Sequence, residues 1–175
     1  DASYSNLYNA TAIGYNARVD DFSRVWVGDA TINSIGGAKS WSTFSDGRFK
    51  NEIREDVKGL DFIKGLRPVS YVVDLAALEQ YYHQNDDPAT AAHFPKSEWQ
   101  QAALLQATTK RETGFIAQEV ANLMKETGYS FSGVDVPIDA RALYGIRYAD
   151  FVVPLVKAMQ EQQLQIEALQ KENAQ

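Results

Sequence analysis

Hydrophobic and polar positions follow three different patterns along the chain, and the changes divide it into residues 1–44, 45–150 and 151–175. In the first region, short alternating pieces such as Thr11-Ala12-Ile13-Gly14-Tyr15 and Val25-Trp26-Val27-Gly28 sit among Gly, Asn, Ser, Thr and Ala. Such alternation predicts short strands joined by tight turns. Large apolar residues are few there. A core of its own is therefore not expected, and the segment should stack in a repeated or oligomeric β structure.

The middle region is denser. Leu60, Ile63 and Leu66 fall at helical spacing, so a short helix is predicted over Asp61–Leu66, stopped by Arg67-Pro68. Val69 to Val73 is β-branched and aromatic and reads as a strand. Residues 75–109 are rich in Ala and Gln. They carry two helical patterns broken by Asn85-Asp86-Asp87-Pro88 and Phe94-Pro95, and read as an insertion. Gly114-Phe115-Ile116-Ala117 reads as a strand entry or turn. Gln118–Lys125 then follows as a helix with Val120, Leu123 and Met124 on one face. Gly145-Ile146-Arg147-Tyr148 reads as a short strand.

In the last region no Gly or Pro follows Pro154. Val152, Leu155, Met159, Gln162, Ile166, Leu169 and Asn173 recur at alternating steps of three and four. This is the pattern of a coiled-coil seam with polar positions at Gln162 and Asn173, which fix register and oligomer number at some cost in stability. The competing reading is an amphipathic helix packed on its own domain. Together the patterns predict a small mixed α+β domain with a β-rich N-terminal stub and a long C-terminal helix.

Composition narrows the function. The 175 residues leave room for one domain with appendages, and 45% of them are hydrophobic, enough for a modest core. The formal net charge of -6 and a pI near 4.9 argue against a nucleic-acid partner, which needs a basic face. With no cysteine, disulfides and thiolate zinc sites are excluded. No apolar run is long enough to span a bilayer. Asp1 opens the sequence where Met would be expected, so the chain reads as a piece of a longer one.

One constellation carries chemistry. In Ser45-Asp46-Gly47-Arg48-Phe49-Lys50 a serine and a lysine stand five residues apart at a polar turn. They can form a Ser–Lys dyad if the amine's pKa falls well below its free value of about 10.4, through burial or a neighbouring cation such as Arg48. From these residues alone, the bland alternative of a solvated turn leading into a charged segment stays open.

The Ser-Asp-x-Arg-x-Lys pattern at 45–50 is followed by Asn51-Glu52-Ile53-Arg54 and Leu66-Arg67-Pro68-Val69-Ser70-Tyr71. This series resembles the endosialidase-type C-terminal intramolecular chaperone family, peptidase S74. Thr113-Gly114-Phe115-Ile116-Ala117-Gln118-Glu119-Val120 is similar to that family's second signature. Ile146-Arg147-Tyr148 through Pro154-Leu155-Val156-Lys157-Ala158-Met159-Gln160 is similar to its third, and all three occur in the family's order. The upstream pieces are similar to the β-rich head or shaft segments that precede such domains in bacterial surface proteins.

The resemblance implies a homotrimer joined through a coiled coil, with Val152, Leu155, Met159, Gln162, Ile166 and Leu169 at the seam. It implies division into a passenger stub at 1–44, a chaperone core at 45–150 with the insertion 75–109, and a coiled-coil helix at 151–175. It also implies self-cleavage of the Phe44–Ser45 bond, with Ser45 as nucleophile, Lys50 as general base, and Asp46 and Arg48 orienting the turn. No cofactor, metal or nucleic acid is implied. The partners are further copies of the chain and its own N-terminal passenger, on a phage tail or a bacterial surface, with assembly in the cytoplasm compatible with either. The rival within the family is a trimerisation and stability cap that does not cut. Relatives often end the Gln-Glu-Val helix with a proline; here Lys125-Glu126-Thr127-Gly128-Tyr129 follows.

Other candidates are weaker. His83 and His93, with Asp86 and Asp87 between, match no metal-ligand spacing and read as solvated. Trp26, Trp41 and Trp99 with nine tyrosines suggest a glycan platform, against packing of Trp41 at a trimer interface. Asp20-Asp21 and Asp135/Asp139 lack the spacing of a calcium loop or a hydrolase pair. With two histidines in the chain, both in the insertion, a Ser-His-Asp hydrolase is disfavoured.

Overall fold

Short apolar stretches bounded by Gly and Asn give this chain short elements, and only its last segment makes a long one. A computed structural model describes residues 7–19, 21–29, 32, 34–84, 97–137 and 142–174. They form two units, one from residues 1–42 and 70–113, the other from 43–69 and 114–175.

In the first unit, β1 (Thr11–Ile13) and β2 (Val25–Val27) pair in parallel, with Thr11 opposite Val25 and Ile13 opposite Val27. Both strands end on a glycine with positive φ, Gly14 at 112° and Gly28 at 79°. Backbone of that sign is strained for residues with a Cβ, which is why glycine punctuates both strands. Ala17 and Val19 are buried beside them. β3 (Val69–Val72) pairs with β4 (Arg111–Gly114), and Arg111 Nη1 donates to both the carbonyl and the hydroxyl of Ser70 at 3.0 Å.

The two broken helical patterns form α2 (Leu75–His83) and α3 (Glu98–Ala107). Asp74 starts α2 by accepting from the Ala77 amide at 2.9 Å, the N-cap that a short carboxylate supplies. Asp86, Asp87 and His93 lie outside the described residues.

The second unit is built on aromatic rings. α1 (Leu60–Gly65) presents Phe62, fully buried, to Tyr129 and Phe131 at ring-centroid distances of 5.0 and 5.1 Å. Phe131 meets Phe151 edge-on at 4.8 Å, and Phe151 stacks on Phe115 at 5.2 Å. Val120 and Ala121 of α4 (Ala117–Thr127) and Val134 of β5 (Val134–Asp135) complete this core. Edge-on and offset contacts suit the ring quadrupoles and add to area burial.

Gly128 ends α4 in a left-handed cap, its amide donating to Lys125, while Tyr129 N–H reaches Met124 at 3.0 Å. Glycine thus ends the helix without a proline. β6 (Gly145–Ile146) pairs antiparallel with β5, shorter than the predicted strand, because Tyr148–Phe151 turns into a 3-10 helix leading to α5 (Val152–Asn173). Pro154 falls in the first turn of α5, where a missing amide costs no hydrogen bond.

α5 packs on α1 through Pro154 and Ala158, both buried, and through half-buried Lys157 and Glu161. The α1 N-cap is Gly59, which has no side chain to accept from the helix's first amides. Glu161 supplies the acceptor from 101 residues away: its Oε2 takes the Leu60 amide at 2.7 Å. A Cβ on Gly59 would stand 2.5 Å from that oxygen and 2.8 Å from Lys157 Cγ. Glycine is therefore what allows α5 to approach.

Losing a cap with a charged acceptor costs about 1–2 kcal/mol, so Glu161→Ala should lower stability by that amount in chemical denaturation. Gly59→Ala should also destabilise, and by less in the Glu161→Ala background, because one contact is disturbed twice. Additive costs in the double variant would show that the two residues act independently.

Candidate functional site

The Ser45 turn is organised by its neighbours. Asp46 accepts from the Arg48 amide at 2.9 Å and so caps a 3-10 turn at Gly47–Phe49. The Arg48 guanidinium returns to the same carboxylate, with Nε at 3.0 and 3.1 Å and Nη2 at 2.6 Å. This pairing holds the Asp46 carboxyl below the usual carboxylate range and raises the guanidinium. One turn later, Lys50 Nζ donates to Ser45 Oγ at 2.8 Å. The turn thus folds the two residues that the sequence singles out onto each other.

Two features of this turn bear on its chemistry. The cation offered as a neighbour for Lys50 is engaged elsewhere, since Arg48 is paired with Asp46. Burial is not supplied either: Ser45 and Lys50 are both exposed. Phe44 and Phe49, five residues apart, bring their rings to 5.5 Å across the turn, and both remain largely exposed. Trp41 and Ile53 on either side are 88% and 78% exposed. A run of apolar side chains this open is unusual for a chain acting alone.

The other motif residues form a scaffold. Arg67 and Glu119, from the first and second signatures, make a two-pronged ion pair, with Nε at 3.0 Å from Oε2 and Nη2 on Oε1. The Glu119 carboxyl is lowered by this partner, and Arg67 is raised. The Phe115 amide, in the second signature, donates to the Tyr148 hydroxyl of the third at 3.1 Å. Arg147 donates to the Ser132 carbonyl and pairs with Asp135. Sequence spacing could not reveal these pairings, since each partner lies many residues from the other.

The residues expected at a seam share one feature. Val152, Leu155, Met159, Ile166 and Leu169 are all exposed, Met159 by 69%, and Gln162 is exposed with them. The face of α5 that packs on α1 is a different one, carrying Pro154 and Ala158. The helix therefore contacts its own unit without using the heptad face.

The remaining candidates separate. Trp26 meets Tyr82 edge-on at 6.4 Å and is half-buried, which removes it from an open glycan platform, while Trp41 and Trp99 stay exposed. Asp21 accepts from the Phe22 amide at 2.8 Å and pairs with Arg24 at 3.4 Å; Asp20 and Asp139 lie outside the described residues. Asp135 is paired with Arg147. Among the described residues, no helix is long and apolar enough to cross a membrane.

Comparison with known proteins adds one result. Residues 45–129 match the model of the family described as chaperone of endosialidase, peptidase S74. The matched stretch begins on Ser45, takes in the first two signatures and stops before the third. No curated protein and no solved structure matches the chain. The resemblance to that family is thereby borne out over Ser45 to Tyr129, the stretch that matches the endosialidase-chaperone family and carries the first two signatures.

Proposed function

We propose that this chain is an assembly module: it trimerises through α5, holds three N-terminal passengers in register while they fold, then releases itself by cutting the Phe44–Ser45 bond. The observation that carries the reaction is the 2.8 Å contact between Lys50 Nζ and Ser45 Oγ. A neutral Lys50 amine takes the hydroxyl proton, and Oγ attacks the Phe44 carbonyl carbon through a five-membered ring. The carbon–nitrogen bond breaks, and the proton passes from Lys50 to the departing Ser45 nitrogen. The product is an ester between Phe44 and Ser45 Oγ. Water hydrolyses it to a Phe44 carboxylate and a free Ser45 hydroxyl. Asp46 and Arg48 fix the turn and take no part in bond changes.

Trimerisation is supported by the exposed heptad face of α5. Burying that face, with Trp41, Phe44, Phe49 and Ile53, between chains removes apolar surface from water. It also offers the desolvation of Lys50 that the turn does not provide by itself, which ties cutting to assembly. Joining three chain ends raises the effective concentration of the passengers and offsets the closure cost of their non-local contacts. Once the module has left, the product is held kinetically. A place on a phage tail or a bacterial surface fits this role.

The exposure of both Ser45 and Lys50 favours one second reading, a trimeric cap that never cuts. The two readings part on a denaturing gel with N-terminal sequencing. A cutting chain yields a fragment that begins with Ser45. Ser45→Ala should abolish that fragment, and Lys50→Ala should slow its appearance by about a hundredfold or more, the usual contribution of a general base. A wild-type chain that stays intact supports the cap, and a cut at another bond removes the dyad.

Light scattering should return the mass of three chains for the wild type. Met159→Asp should return one, with the fold kept, because Met159 is 69% exposed in the single chain. Three-chain mass in that variant would place the interface elsewhere.

A further inference from the structure

Two contacts straddle the bond between Phe44 and Ser45, and each reaches five residues along the chain. On one side Lys50 Nζ donates to Ser45 Oγ at 2.8 Å. On the other the ring of Phe49 meets that of Phe44, with centroids 5.5 Å apart and planes inclined by 54°. Two adjacent residues thus hold two adjacent residues. The turn between them makes this possible. The Phe49 amide donates to the Asp46 carbonyl and the Lys50 amide to that of Gly47, both at 3.2 Å, which folds 49 and 50 back beside 44 and 45.

The Phe49 ring is itself held. The Arg48 guanidinium carbon stands over it, 5.7 Å from its centroid, inside the range where a cation is drawn to a ring face. Asp46 grips the same guanidinium through Nε and Nη2. Asp46, Arg48, Phe49 and Phe44 therefore form one connected series, which ends on the residue whose carbonyl precedes Ser45. This series does not serve the core. Phe44 and Phe49 are 71% and 65% exposed, so their contact ties the two residues to each other and not to the aromatic cluster around Phe62.

We infer that Phe49 is a positioning residue for the Phe44–Ser45 bond, and that its ring makes the cut selective for an aromatic residue at position 44. The inference rests on the reading that Ser45 cuts. Lys50 fixes only the attacking oxygen. The carbonyl under attack belongs to the preceding residue. The peptide group that carries it is planar, so its direction is set by rotation about the single bonds on either side, at Phe44 Cα and at Ser45 Cα. The Phe44 side chain starts from the first of these atoms. Tethering its ring to Phe49 restricts that rotation, and does so from the same turn that presents the amine. Orientation of this kind lowers the entropic part of a barrier without touching a reacting atom. Inclined rings at this distance also gain from their quadrupoles, which an aliphatic group of similar size does not.

The test is made on the full chain. Pulse-labelled cell-free synthesis, chased on a denaturing gel, gives the rate at which the fragment beginning with Ser45 appears, and N-terminal sequencing confirms the bond. Phe44→Tyr should cut at close to the wild-type rate and Phe44→Ala about tenfold more slowly, the upper part of what an aromatic pair contributes. In a Phe49→Ala background every rate should fall, and the ratio between the Phe44→Tyr and Phe44→Ala rates should drop to about one, because the partner that told them apart is gone. Phe49→Tyr should restore the ratio. If Phe49 served only the stability of the turn or the contact between chains, its loss would slow both variants alike and leave the ratio at about ten, which overturns the inference. An unchanged wild-type rate in Phe49→Ala overturns it too, as does equal cutting of Phe44→Tyr and Phe44→Ala with Phe49 in place. A wild-type chain that stays intact overturns the cutting reading itself and the inference with it, so the two failures are told apart on the same gel.

Discussion

The carboxylate of Glu161 takes the first amide of α1, and that one contact decides how the last helix is turned. A helix has a limited circumference. With Pro154, Lys157, Ala158 and Glu161 directed to α1, the residues about a third of a turn away are directed outward. Those outward residues are Val152, Leu155, Met159 and Ile166. Gly59 is part of the same constraint, because only a residue without a Cβ lets the carboxylate close on the Leu60 amide. The aromatic cluster around Phe62 holds α1 from its other side. The exposed heptad face is thus a consequence of how the second unit packs.

The Ser45 turn obeys a different logic. Asp46 and Arg48 fulfil one another, which leaves Lys50 to the serine hydroxyl. A self-cleaving group needs one turnover per chain, so the site can be simple. What it needs is a condition that keeps it idle until the passenger is assembled. On the proposed reading, solvent around the exposed Lys50 keeps the turn idle in a single chain and its removal on association lifts that condition, so that the open turn is the resting state of a reaction coupled to assembly.

Much of the fold was legible because the signals were local. A Pro after Arg67 ends α1, Asn85 to Pro88 follows the end of α2, and heptad spacing runs the length of α5. The contact of Lys50 with Ser45 was legible for the same reason, as both residues lie within a single turn. What spacing could not show were the long-range pairings: Glu161 with Leu60, Arg67 with Glu119, Tyr148 with Phe115. Each depends on the tertiary path of the chain, which leaves no periodic trace in composition. The strand predicted through Tyr148 stopped at Ile146 for that reason, since Tyr148 and Phe151 are drawn into the ring cluster. The parallel register of β1 on β2, with Thr11 opposite Val25 14 residues on, is an intermediate case. Gly14 and Gly28, with Ile13 and Val27 before them, carry it in the sequence, but two copies are few, and the matching φ signs are visible only in the backbone.

On the proposed reading, register between chains is set from outside the passenger, by something that fixes where each chain ends. A helix that aligns copies through a face with polar positions at Gln162 and Asn173 would do this, because a polar residue in a seam tolerates few alternatives. The Glu161 cap holds that helix within each chain, so on this reading the packing of one chain presents the face by which copies are aligned.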